Sequence, residues 1–103
     1  MADYITAAMN DIAASLTTEL RALAVAKGWP ENLAQSLTME VQGSAVVPVW
    51  DKKKDKKIRA LEYGTSYTDP NPVIGSFMAS GRMQEVAREH MGEILAYIQR
   101  SLR

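Results

Sequence analysis

The chain contains no cysteine, which excludes disulfides, thiolate nucleophiles and cysteine-ligated zinc together. It holds a single histidine, His90. One imidazole without a thiolate cannot build a structural zinc site, and no HExxH spacing surrounds it. With Glu89 and Glu93 nearby, His90 is read as an ordinary, partly exposed residue of a charged helix. Neither sign of charge is in excess: 12 basic residues face 12 acidic ones. That balance argues against a dedicated nucleic-acid binder or a charge-driven membrane binder. A weakly self-repelling surface instead suits a chain that packs against copies of itself. No apolar run approaches the roughly 20 residues of a membrane-spanning helix. The opening MADYITAAMND carries an early acid and no basic region before an apolar run, unlike a secretory signal. Synthesis in a cytoplasm, without membrane insertion, is the expectation.

Catalytic signatures are scarce as well. Gly64-Thr65-Ser66 lacks the second glycine of a nucleophile elbow, and Gly75 and Gly81 lie in a segment without the GK[ST] ending of a phosphate loop. No close cluster of acids marks a magnesium site. The chain is therefore expected not to be an enzyme, and to need no cofactor, metal or small-molecule substrate.

What is present describes one globular domain over residues 1–103, with 47% hydrophobic and 23% charged residues. A chain of this length buries roughly 65% of its unfolded surface without staples. Asp3 is placed as an N-cap. Behind it Ile5, Met9, Ile12, Leu16, Leu20 and Leu23 recur at spacings of three and four, with many alanines between them. Gly28 and Pro30 supply the stop. This predicts a helix over about 3–27, then one short helical turn opened by Pro30.

Alternation predicts strands at about 37–42, 45–50 and 58–63, with Gly43-Ser44 breaking the first from the second. Pro48 requires the second strand to lie at an edge or carry a bulge. Between the second and third runs lies DKKKDKK, Asp51 to Lys57, read as a solvated, lysine-rich hairpin tip that would also guard an edge strand. Gly64 to Asn71 is a loop by composition. Asn71-Pro72 is placed as the cap of a helical region over about 72–102, interrupted at Ser80-Gly81. From there Met83, Val86, Ala87, His90, Ile94, Tyr97, Ile98 and Leu102 carry the period. The fold class that follows is α+β: a small antiparallel sheet of about three strands, one face covered by long N- and C-terminal helices. Trp29 and Trp50 are expected at the core periphery, and the six methionines as core gap-fillers.

One stretch carries a family likeness. Ala60-Leu61-Glu62-Tyr63-Gly64-Thr65, followed by Pro70-Asn71-Pro72 and an apolar helical segment, resembles the small neck or tail-completion proteins of long-tailed double-stranded DNA bacteriophages. In those proteins a strand ends on an acid-aromatic-Gly-Thr step, followed by a proline-rich loop and a C-terminal helix. The long first helix and the chain length also fit. Many members carry an aromatic residue and an arginine after the second proline, where this chain has Val73 and Ile74. That departure leaves neck protein and tail terminator unseparated.

The resemblance implies a virion structural protein, held in the host cytoplasm before assembly, that forms a homo-oligomeric ring around the DNA path. The ring is commonly six-fold in such parts and touches neighbouring connector and tail proteins. Glu62, Tyr63, Gly64, Thr65, Pro70 and Pro72 would then lie at the oligomer interface. Lys52, Lys53, Lys54, Lys56 and Lys57 would face the channel and make non-specific contact with packaged DNA. Two alternatives stand beside this reading. One is a tail terminator capping the tail tube, the other a small nucleic-acid-binding or regulatory module that uses the lysine run.

Overall fold

Helix-forming residues dominate the chain, and the order of elements follows from where they are interrupted. A computed structural model describes residues 2–43 and 45–101. Ser44 and Leu102 lie outside the described residues, as do the side chains of Asp3, Ile5, Ile94, Tyr97 and Ile98.

The first helix, α1, spans Ala2–Ala26, so Asp3 sits inside its first turn and not at its cap. Its apolar spacing is realised from Ala13 onward: Ala13, Leu16, Leu20 and Ala24 are buried, with Ile12 and Leu23 packed beside them. The helix ends in a Schellman motif. The Trp29 amide donates to the Ala24 carbonyl at 3.0 Å, and the Gly28 amide to the Val25 carbonyl at 3.0 Å. Gly28 takes the left-handed conformation this closure requires, with φ 87°. Trp29 is thereby folded back into the core as one of its members, deeper than the peripheral position expected of it.

A single helical turn, α2 (Glu31–Ala34), leads into the antiparallel pair β1 (Thr38–Gln42) and β2 (Ala45–Val49). Pro48 faces Met39 across the ladder. The Met39 amide donates to the Thr17 hydroxyl of α1 at 2.8 Å, so it points away from β2. That makes Met39–Pro48 a pair without mutual hydrogen bonds, and the missing proline donor costs the ladder nothing. Thr17 and Arg21, whose Nε donates to the Leu37 carbonyl at 2.8 Å, fasten α1 along this end of the hairpin.

The third expected strand is not one. After a 3₁₀ turn at Lys52–Lys54, residues Asp55–Tyr63 form a helix, α3. The sheet therefore has two strands, and the lysine run is no hairpin tip. Residues 58–63 put apolar side chains at Ile58, Ala60, Leu61 and Tyr63, on both parities, so strict alternation is absent. Ile58 and Glu62 are one helical turn apart, and both are buried. The surrounding Lys, Arg, Ala, Leu and Glu residues all favour helix.

The C-terminal region divides as expected at Ser80-Gly81, into α4 (Ile74–Ala79) and α5 (Arg82–Ser101). Arg82 joins α5 to α1 by an ion pair with Glu19 and also reaches Glu85 at 2.9 Å. Among the described residues, helix α5 packs chiefly against α1 and α4 and not against the sheet. Leu16, Leu20, Leu37, Ile58, Val73 and Val86 are fully buried in one cluster drawn from every part of the chain. The molecule is long for its size: its radius of gyration is 16.3 Å, against about 13 Å for a compact chain of this length. On α5 the described apolar residues beyond Ala87 are open, with Met91 and Leu95 each more than half exposed.

Candidate interaction site

The segment from Leu61 to Gly75 contains the acid-aromatic-Gly-Thr step and the proline-rich loop on which the family likeness rests. Glu62, on the inner face of α3, is only 7% exposed. Its Oε1 accepts the amides of Val73 at 2.9 Å and Ile74 at 2.8 Å, while Oε2 accepts that of Gly75 at 2.9 Å. A carboxylate from one helix thus caps the first turn of another, where three backbone donors have no partner within α4. Asn71 is not that cap. Its amide donates to the Leu61 carbonyl at 2.7 Å, and its side chain donates to the Lys27 carbonyl at 2.8 Å. Its own carbonyl accepts the Trp29 indole N–H at 3.0 Å. Asn71 therefore joins the end of α1, the end of α3 and the loop between α3 and α4.

Gly64 ends α3 with φ 79° and ψ 176°. A Cβ there would stand 2.8 Å from both the Thr68 carbonyl oxygen and the Pro70 nitrogen, so the loop closes tightly against a position only glycine can fill. Thr65 closes a turn: its amide donates to the Thr68 carbonyl at 2.8 Å, and its hydroxyl accepts the Tyr67 amide at 3.1 Å. Pro70 and Pro72 lie at the surface. The Pro72 carbonyl accepts from Lys27 Nζ at 3.2 Å and from the Ser76 hydroxyl at 3.0 Å.

This loop is tied down at both ends, and it presents aromatic rings outward. Tyr63 is 73% exposed at the end of α3, and Tyr67 is 98% exposed at the turn. Of the residues named from sequence in this segment, Tyr63 is the aromatic one open to a partner, with Thr65, Pro70 and Pro72 exposed beside it. Glu62 and Gly64 shape the loop from within. Tyr67 was not singled out from sequence, although an aromatic residue inside a Ser-Tyr-Thr-Asp-Pro loop has nothing local to pack against and was a readable signal. Asn71 carried no such signal, because its partners at the end of α1, Lys27 and Trp29, are more than 40 residues away in the chain.

A small cleft of about 160 Å³ lies beside Tyr63, between Trp50, Ile58, Arg59 and Ile74. Small-molecule sites usually enclose about 300–1,000 Å³. A wider groove of about 540 Å³ runs over the outer side of α1 past Thr18, Arg21 and Val25. Its one ionisable side chain, Arg21, is engaged with Leu37. Among the described residues no group of three His, Cys, Asp or Glu side chains is arranged to hold a metal, and no helix is long and apolar enough to cross a membrane. His90 directs Nδ1 at the Val86 carbonyl one turn back, at 3.0 Å, and donates to it.

The lysines lie along the 3₁₀ turn and α3. Lys52, Lys53, Lys56 and Lys57 are exposed, whereas Lys54 is half-buried and donates from Nζ to the Asn32 carbonyl at 3.2 Å. Asp51 caps the turn by accepting the Lys53 amide at 2.9 Å. Asp55 accepts the Trp50 indole N–H at 2.8 Å and pairs with Arg59 at 2.9 Å. The Trp50 hydrogen bond and then the Arg59 pair hold its carboxyl below the usual carboxylate range. Comparison with known proteins returns no matching family model, no similar curated protein and no similar solved structure.

Proposed function

We propose that this chain is a structural subunit of the head-to-tail connector of a long-tailed double-stranded DNA bacteriophage, a neck or tail-completion protein. It assembles as a homo-oligomeric ring around the DNA path and resides in the virion. The observation that carries the reading is the clasped loop between α3 and α4. It is the segment in which the family likeness resides. It is fixed by Glu62 and Asn71 before any partner arrives, and it holds Tyr63 and Tyr67 in solvent. A loop already ordered loses little entropy on docking, and exposed tyrosines are frequent anchors of interfaces. Met91 and Leu95 on α5 offer a second apolar surface to a neighbouring copy or to an adjoining connector or tail protein. The shared role of the two surfaces is assembly, with binding energy drawn from apolar contact and not from chemistry.

Light scattering across a concentration series, with negative-stain imaging of the largest species, tests this. A discrete ring is expected at high concentration. Tyr63→Ser with Tyr67→Ser should shift its midpoint upward by tenfold or more while leaving the circular dichroism spectrum unchanged. A chain that stays monomeric at every concentration, and is not drawn into particles when connector proteins are supplied, would overturn the proposal.

A further inference from the structure

We propose that the outer face of the 3₁₀ turn and α3 is a sequence-independent binding surface for the phosphate backbone of double-stranded DNA. This rests on the ring reading above and specifies what the subunit presents to the DNA path.

The first support is the distribution of charge. Residues 51–59 carry six basic and two acidic side chains, in a chain whose formal charge is zero. The rest of the molecule is therefore net acidic, and positive charge is concentrated in one place. The second support is geometry. Ile58 and Glu62 define the buried side of α3, and a helical period of about 100° per residue then places Lys56 and Lys57 on the opposite arc and Arg59 at its edge beside Asp55, while Lys52 and Lys53 stand on the 3₁₀ turn that leads into it. All five are exposed. Lys54, which the sequence grouped with them, is turned aside onto Asn32 and leaves the set.

The third support is the use made of the two acids. Asp51 is occupied in capping the turn, and Asp55 is held by Trp50 and Arg59 at the flank of the helix. Among the described residues, none of Lys52, Lys53, Lys56 and Lys57 forms an ion pair. Four unpaired ammonium groups stand along about 9 Å of the 3₁₀ turn and the first turn of α3, a length over which duplex DNA carries about five phosphates. Nothing on this face reads base edges, so the contact is to the backbone and indifferent to sequence.

The test is fluorescence anisotropy with a labelled mixed-sequence duplex between 10 and 100 mM salt. A subunit engaging all four lysines should lose about 4,000-fold in affinity over that range, and Lys56→Ala with Lys57→Ala about 60-fold. The variant's slope on a log–log plot is thus about half that of the parent, however many subunits of a ring touch the duplex. Arg88→Ala with Arg100→Ala removes equal charge from α5 and should leave the slope unchanged. A parent slope shallower than about −1, or equal flattening by the α5 variant, overturns the inference. Light scattering on the same samples separates the two proposals. A ring that ignores DNA defeats this one alone, and a monomer that connector proteins do not recruit but that binds DNA with the steep slope defeats the ring alone while supporting this one.

Discussion

Replacing Glu62 by alanine removes one carboxylate and leaves three backbone donors at the head of α4 without a partner. Hydrogen bonds to a charged group contribute about 1.5–3 kcal/mol each, but the three are not additive here. The amides of Ile74 and Gly75 begin a helix at the surface and can turn to water. Val73 cannot, because it is fully buried, and an orphaned buried amide costs about 1–3 kcal/mol. Adding about 1 kcal/mol for a lost helix cap brings the expected destabilisation to about 3 kcal/mol. Against a total of about 5–15 kcal/mol, that is a large share, equivalent to a fall in Tm of about 12–24 °C. Glu62→Gln keeps one acceptor but turns an amide donor towards Gly75, so it should lose about half as much. Equilibrium urea unfolding at low protein concentration, followed by circular dichroism, measures both without a contribution from association. A loss under about 1 kcal/mol for the alanine variant would refute the capping role. If Glu62 acted at a subunit interface, the outcome would be reversed: unfolding of the monomer unchanged, and the midpoint of association displaced.

Gly64→Ala should destabilise by about 3 kcal/mol or more, because it combines a backbone region nearly reserved for glycine with a Cβ 2.8 Å from two backbone atoms. Urea unfolding reads this out, and a loss below about 1 kcal/mol would mean the loop can open without cost. Asp55 predicts a pH dependence. Its carboxyl titrates lower in the folded chain than in the unfolded one, so its contribution is full above the ordinary carboxylate value and is lost as pH falls through the lowered one. The gap in unfolding free energy between parent and Asp55→Asn should therefore be positive at pH 6 and close towards pH 2, and a gap independent of pH would contradict the Trp50 and Arg59 contacts.

Much of the fold was legible because its signals are local. The three-and-four spacing from Ile12 to Leu23, the glycine and proline after it, and the alternation of Thr38 to Gln42 each describe a few consecutive residues. All three became the elements they describe. The edge position of Pro48 followed from its missing amide alone. What was not legible is long-range. Glu62 caps a helix 11–13 residues further on, and Asn71 joins α1 to the loop across 44 residues. No short window of sequence contains both partners, so the local signals point to Asn71-Pro72 as the cap of α4 and to Glu62 as a strand residue at an interface. The likeness to neck proteins rests on this same segment, but it could not say which of its residues hold the loop and which are open to a partner.

The misreading of residues 58–63 changes the meaning of the lysines before them. In a strand continued through the charged run, alternation would send Lys52, Lys54 and Lys56 to one side and Lys53 and Lys57 to the other. Charge so divided would be a solvated tip that discourages aggregation. In the structure Lys56 and Lys57 stand on the exposed side of the helix anchored by Ile58 and Glu62, Lys52 and Lys53 stand exposed on the turn before it, and Lys54 is drawn off to Asn32. The composition is identical in both cases. The turn and helix, and not a strand, set how these lysines are spaced, so the secondary structure of residues 52–63 decides between a solvated tip and the binding surface proposed above.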